Sequence, residues 1–170
     1  PPVIEAVFEA LPAVAAAHRQ AARLAHRLLL IIVPNVAARG PEFQAFFDKG
    51  PWPAALRSTG AEPDEETQVY IADTDDEMGL WYRLAPITFV GNTLSEPGGG
   101  HDPYEPAALG SAVVHGPNIG PHEAVFSRMN AVGAARRVGD ANALGIAVSE
   151  LLSPDKAAEK AALDYEAYAA

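Results

Sequence analysis

Leu28-Leu29-Leu30-Ile31-Ile32-Val33-Pro34 is an unbroken apolar run stopped by a proline. It has no polar side to turn to water, so both of its faces must meet protein. A run this short, bounded by a breaker, predicts a strand buried on both faces, as in the middle of a parallel sheet. The same grammar recurs outward from it. Gln68 to Ala72 ends at Asp73-Thr74, Ile87 to Val90 ends at Gly91-Asn92-Thr93, and Ala112 to His115 ends at Gly116-Pro117. Weaker strand patterns lie at Ala54 to Arg57 and Ala135 to Val138.

Helical spacing fills the intervals. Residues 3–27 are alanine-rich and predict helix, with Pro12 as a kink or break. Pro41 to Asp48 carries Phe43, Phe46 and Phe47 as its apolar contacts. Thr74 and Glu77 have capping-box spacing ahead of a helix whose core face is Met78, Trp81, Tyr82 and Ala85, and Pro86 stops it. Further helices are predicted around His122 to Asn130, over Ala141 to Leu152, and from Asp155 to about Tyr168. Strands alternating with helices across short connections predict an α/β fold. It is a Rossmann-like, doubly wound parallel sheet with helices on both faces, spanning residues 1–170 as one domain.

The chain has 170 residues, 49% hydrophobic and 20% charged, with a formal net charge of −10 and no cysteine. That composition is globular and long enough to bury a core. The acidic balance argues against nucleic acid as a partner, because phosphates would be repelled. Without cysteine there is neither a disulfide nor a thiolate metal site, and a reducing compartment fits. The longest apolar run is too short to span a bilayer, so this chain is not expected to insert in a membrane.

In doubly wound sheets ligands bind beyond the carboxyl ends of the strands. Four loops leave such ends: Pro34-Asn35-Val36, Asp73-Thr74, Gly91 to Gly100, and Gly116-Pro117-Asn118. The third feeds Gly98-Gly99-Gly100-His101-Asp102-Pro103-Tyr104-Glu105, which is the densest candidate site. Asp102, Pro103 and Glu105 fit an N-cap, a first helical position and a capping-box partner, and Gly110 closes the helix. The glycine amides and the helix start suit a phosphate. Glu105 has two readings: accepting hydrogen bonds from adjacent ribose hydroxyls, or turning back onto the Asp102 amide. His101 either contacts the phosphate or fills the loop, and capping alone is enough to explain Thr74 and Glu77. There is no GxxxxGK[ST] loop, no GxGxxG after the first strand, no GxSxG elbow, and no histidine pair at metal-ligand spacing. Metal and cofactor are therefore not expected.

The run Tyr70-Ile71-Ala72-Asp73-Thr74, with Glu77-Met78-Gly79-Leu80-Trp81-Tyr82-Arg83-Leu84-Ala85, resembles the donor lobe of bacterial 3-deoxy-D-manno-octulosonic acid (Kdo) transferases. So do Phe89-Val90-Gly91-Asn92-Thr93-Leu94, Gly99-Gly100-His101-Asp102, Glu105-Pro106-Ala107-Ala108-Leu109-Gly110 and Gly116-Pro117. The resemblance is close over about residues 68–122. It implies the C-terminal lobe of a two-lobed GT-B glycosyltransferase that moves Kdo from CMP-Kdo to a lipid A precursor in lipopolysaccharide biosynthesis. The full-length protein would work at the cytoplasmic face of the inner membrane. CMP-Kdo is then the substrate and partner, with no cofactor, and the lipid acceptor is held by a lobe absent from this chain. A homo-oligomer is also compatible.

Matched onto this sequence, the implied donor set is Glu105 for the ribose, Gly98, Gly99, Gly100, His101 and Asp102 on the phosphate side, and Pro34, Asn35, Thr74, Glu77 and Met78 around them. Asn35 and Val36 stand where the family has Arg and His, Asp102 where it has Asn, Asp76 and Asn92 where it has Gly, and Asn118 where it has His. The lost guanidinium is a lost bidentate phosphate partner. These departures keep two alternatives open, a GT-B lobe using another nucleotide sugar and a lobe that has become an interaction module. The family's lobe opens with a strand expected to lie upstream of Pro1, as do the acceptor lobe and the catalytic base. The sheet is accordingly expected to lack its first, central strand or to have another chain fill the gap. The fragment alone is expected to be inactive in transfer.

Overall fold

The computed structural model describes residues 2–6, 10–23, 25, 27–95, 98–152 and 162–163. Strand β1 (Pro2–Ala6) is followed by α1 (Leu11–Ala22), β2 (Leu30–Pro34), α2 (Gly40–Asp48), β3 (Ala54–Leu56) and β4 (Val69–Ile71). Then come α3 (Met78–Leu84), β5 (Ile87–Val90), α4 (Tyr104–Ala108), β6 (Ala112–His115), α5 (Glu123–Ala131), β7 (Arg136–Arg137) and α6 (Ala141–Leu151). All seven strands form one sheet in the order β3-β4-β2-β1-β5-β6-β7, and every neighbouring pair is parallel. The helix predicted from Asp155 to Tyr168 falls almost wholly outside the described residues.

The apolar run that predicted a central strand does form one. All five residues of β2 are buried, and their alternation divides two cores. Leu30 and Ile32 join Ile71, Phe89 and Val114 in a large cluster with Leu11 and Val14 of α1, Phe43 and Phe47 of α2, and Leu144 of α6. Ile31 and Val33 turn the other way, onto Tyr70, Trp81 and Tyr82. On that second face Val113 of β6 packs with Ala107 of α4 and with Phe126 and Met129 of α5. Helices therefore cover both faces, as parallel sheets require.

Two expectations at the amino end are corrected. Residues 3–27 are not one helix, because Pro2–Ala6 is a strand and the helix starts at Leu11. The sheet does not lack its central strand, because β1 pairs with β2 through Val3–Ile31 and with β5 through Val3–Thr88. Hydrogen bonding on both sides, a tertiary effect, sets this segment's conformation over its alanine-rich helical context. Pro12 breaks nothing, since it lies in the first turn of α1, where no amide hydrogen is needed.

Candidate functional site

From β1 in the middle of the sheet the chain runs outward through β2 to the edge strand β3, places β4 between those two, and crosses back to β5 on the other side of β1. The point of reversal therefore lies between β1 and β5. The crevice at such a point is where doubly wound sheets take ligands. The loop leaving β5 there is the glycine-rich stretch.

Buried Thr93 pins that loop. Its hydroxyl donates to the Val90 carbonyl (2.7 Å) and accepts from the Gly116 amide (2.8 Å), joining the exits of β5 and β6. The Asn118 amide donates to the Thr93 carbonyl (2.9 Å), and the Gly99 amide donates to the Asn118 carbonyl (2.8 Å). Asn92 closes the other side, with its carbonyl accepting from the Gly100 amide (3.2 Å) and its side-chain amide donating to the Gly98 carbonyl (3.0 Å). Two of the three glycine amides expected to face a phosphate are thus engaged, Gly100 within the loop and Gly99 by the loop after β6. The glycines serve its shape instead. Gly98 has φ +66°, and a Cβ there would lie 2.6 Å from the Asn118 carbonyl oxygen. Among the described residues Asp76 (φ 62°) and Asn92 (φ 58°) are the two non-glycine residues with positive φ, and the resemblance implied Gly at both positions. Asp and Asn are the side chains that tolerate that conformation best.

Neither capping box forms. Helix α4 starts at Tyr104, and the Asp102 carboxylate accepts from the Tyr104 amide (2.9 Å). Pro103 is the residue before the helix, and Gly110 (φ 87°) follows its end as expected. Glu105 does not turn back on Asp102. Its carboxylate is exposed and makes no hydrogen bond among the described residues. Its Oε1 lies 3.4 Å from where a Gly79 Cβ would stand, and the Arg83 guanidinium lies 3.6 Å from the same point. The bare glycine lets α3 and α4 approach with an unbonded carboxylate and a cation at the junction. Half-buried Met78 packs beside Trp81 in the core below. His101 is half-buried, with its Nδ1 3.2 Å from the Asp102 carbonyl oxygen.

Thr74 and Glu77 belong to a different arrangement. Helix α3 begins only at Met78, because Glu77 is held by Arg57 from the exit of β3. Arg57 Nε donates to Glu77 Oε1 (2.8 Å), Nη2 donates to Oε2 (2.7 Å), and the Thr74 hydroxyl also donates to Oε1. The guanidinium sits 5.0 Å above the Trp81 ring. These donors, the guanidinium first, hold the Glu77 carboxyl down at about 2. The neighbouring Asp73 accepts from the Ser58 amide (2.8 Å) and hydroxyl (2.6 Å) and packs against Gly40, where a Cβ would lie 2.7 Å from the carboxylate carbon.

Because the folded Glu77 carboxyl titrates below its ordinary 4.5, its contribution to stability is complete above that pH and is lost as pH falls through about 2. Glu77→Gln should therefore lower the thermal midpoint at pH 7, and the gap from the parent should shrink steadily below pH 4.5. Melting curves at pH 7, 4 and 3 check this, and a gap independent of pH would contradict it.

Pro34 and Asn35 leave the end of β2, with Pro34 buried and Asn35 exposed. The predicted residues share the carboxyl edge but spread along it. Three strand spacings separate β4 from β5, roughly 14 Å. Gly98 to Glu105 lie at the exit of β5, Thr74, Glu77 and Met78 at that of β4, and Pro34 and Asn35 between. Sequence reasoning missed Arg57 and Arg83. Arg57 was findable as a cation at a strand's carboxyl end. Arg83 lies four residues after Gly79, one helical turn, but nothing local pointed it toward Glu105.

Among the described residues no group of three His, Asp or Glu side chains is placed to hold a metal ion. No helix among them is long and apolar enough to cross a membrane.

No protein-family model matches the chain. It is 33% identical over 134 residues to the 3-deoxy-D-manno-octulosonic acid transferase of Haemophilus influenzae, covering 78% of this chain and 31% of that protein. It is 32% identical over 93 residues to a probable mitochondrial transferase of the same name from Arabidopsis thaliana, covering 54% of this chain and 21% of that one. The chain thus spans less than a third of the length of either relative. The crystal structure of the C-terminal CMP-Kdo binding domain of WaaA from Acinetobacter baumannii superimposes with a TM-score of 0.85 at 27% identity, covering 98% of this chain and 88% of that one. That structural match runs the length of both chains, and the sequence relatives carry one name. The chain belongs to the Kdo transferase family, as a C-terminal domain of it.

Proposed function

We propose that this chain is the donor-binding lobe of a glycosyltransferase that takes Kdo from CMP-Kdo to a lipid A precursor. The observation that carries the reading is Glu105. An exposed carboxylate with no partner among the described residues stands at the reversal point of the sheet, in a chain 27% identical to a CMP-Kdo binding domain. Held on α4, it can accept hydrogen bonds from both ribose hydroxyls, and such charge-assisted bonds are the strong ones. The Gly98–Gly100 loop sets His101 and Asp102 beside the phosphate, with Pro34 and Asn35 toward the base.

In the reaction the acceptor hydroxyl oxygen bonds to the anomeric carbon of Kdo, and the bond from that carbon to the phosphate oxygen breaks. CMP leaves with the electron pair, and the acceptor proton passes to a base on the separate acceptor lobe. This lobe's part is to hold CMP and orient the leaving group. The full-length protein acts at the cytoplasmic face of the inner membrane, and the lobe alone transfers nothing.

A second reading, a lobe for another nucleotide sugar, is favoured by one observation. Asn35 and Val36, both exposed, occupy the β2 exit where the family has Arg and His. Calorimetric titration separates the readings. CMP binding at least tenfold tighter than UDP supports CMP-Kdo as donor, and the reverse order selects the second reading. No heat with either nucleotide would identify an interaction module.

A further inference from the structure

The edge of the sheet opposite the donor loops has a cleft of its own. It lies before β2 and β3, between the carboxyl ends of α1 and α2, with a volume of about 260 Å³. Buried His18 forms one wall, and its Nε2–H donates to the Leu28 carbonyl (2.9 Å). Trp52 meets that imidazole edge-on at 4.9 Å between ring centres, and Phe46 stands edge-on to Phe47 at 5.2 Å. Apolar surface dominates the interior.

The rim is cationic. Arg19 and Lys49 line the cleft, and Arg23, one turn beyond Arg19, lines its extension over Trp52. None of the three side chains forms a hydrogen bond or ion pair among the described residues. In contrast, Arg39, Arg57 and Arg136 are each paired with a carboxylate. The nearest acid in sequence, Asp48, turns its Oδ1 toward the Ala54 amide (3.3 Å). Cations at helix carboxyl ends are favourable for the macrodipole, which accounts for their presence there. It does not account for an open aromatic cleft between them in a chain of net charge −10.

We propose that this cleft binds a small soluble amphipathic anion, an aryl or short alkyl group carrying one phosphate or carboxylate. The apolar body lies against Trp52 and Phe46, and the anion meets Arg19 and Lys49. Burial lowers the affinity of His18 for a proton, so the ring stays neutral, with its hydrogen on Nε2. Its Nδ1 lone pair, which has no partner among the described residues, is left to accept from a ligand hydroxyl or amide. A lipid surface fits less well, because no residue of the cleft is among the exposed large apolar side chains of the chain.

The test follows the indole N–H resonance of Trp52, assigned with Trp52→Phe, during titration with phenyl phosphate, phenol and inorganic phosphate. Phenyl phosphate should bind at least tenfold tighter than either half alone. Arg19→Glu with Lys49→Glu should weaken it at least tenfold in a chain that still melts cooperatively, with the midpoint lowered only by the loss of two exposed helix-end cations. Equal binding of phenol, or indifference to the charge reversal, would overturn the proposal. So would binding to phosphatidylglycerol vesicles without binding of phenyl phosphate. Saturating CMP should leave the Trp52 resonance in place, and competition between CMP and phenyl phosphate would also overturn the proposal.

Discussion

Glu105→Gln is expected to weaken CMP binding by about tenfold to a hundredfold and to leave the thermal midpoint unchanged. Both halves follow from the surroundings of the side chain. The Glu105 side chain is exposed and bonds no other group among the described residues, so its exchange for an isostere is a surface change, within about 0.5 kcal/mol. In the complex its two oxygens would each accept from a ribose hydroxyl. Hydrogen bonds to a charged group contribute about 1.5–3 kcal/mol, and every 1.4 kcal/mol is tenfold in affinity. Glutamine keeps one acceptor and replaces the other with a donor. Calorimetry with CMP, alongside melting curves of both proteins, checks the result. An unchanged affinity would remove Glu105 from the site, and a lowered midpoint would give it a structural role instead.

Gly116→Ala is expected to have the largest effect on stability. Gly116 follows β6, where its amide donates to the Thr93 hydroxyl. A Cβ there would lie 2.5 Å from the Thr93 carbonyl carbon and 2.8 Å from the Leu94 amide nitrogen. Those atoms are backbone, inside a loop tied at both ends, and cannot rotate away as a side-chain tip would. Overpacking of this kind costs about 3 kcal/mol at the upper end of its usual range. For a chain of this size that is a fall in melting temperature of roughly 6–12 °C. Because the displaced segment leads into Gly98–Glu105, CMP binding should fall as well. A midpoint within 2 °C of the parent would mean that β6 and the glycine loop are not packed as described.

What could be read from sequence divides by the range of the forces involved. β2, β5 and β6 are runs whose burial on both faces is written in their own residues, so their parallel pairing and the ligand edge followed. β1 is five residues long, too few for a period to declare itself, and its conformation comes from partners at positions 31 and 88. The two capping boxes had correct spacing and failed for separate reasons. Glu77 was captured by Arg57 from twenty residues away, a long-range ion pair that no local pattern encodes. Asp102 bonds the Tyr104 amide two residues on, the local alternative always open to Asp. Within the site, the glycine loop was legible because glycine is the residue that positive φ and close approach select. The use of its amides was not, because one acceptor, the Asn92 carbonyl, comes from the loop's own closure and the other, the Asn118 carbonyl, from the loop after β6.

The account rests on CMP seated at the exit of β5. The direct measurement is an amide correlation spectrum of the 15N-labelled chain titrated with CMP. The predicted result is saturable shifts concentrated in Gly98 to Glu105 and in Met78 to Arg83, with Arg19, Lys49 and Trp52 unmoved. Shifts confined to the opposite edge, or none at millimolar CMP, would contradict it.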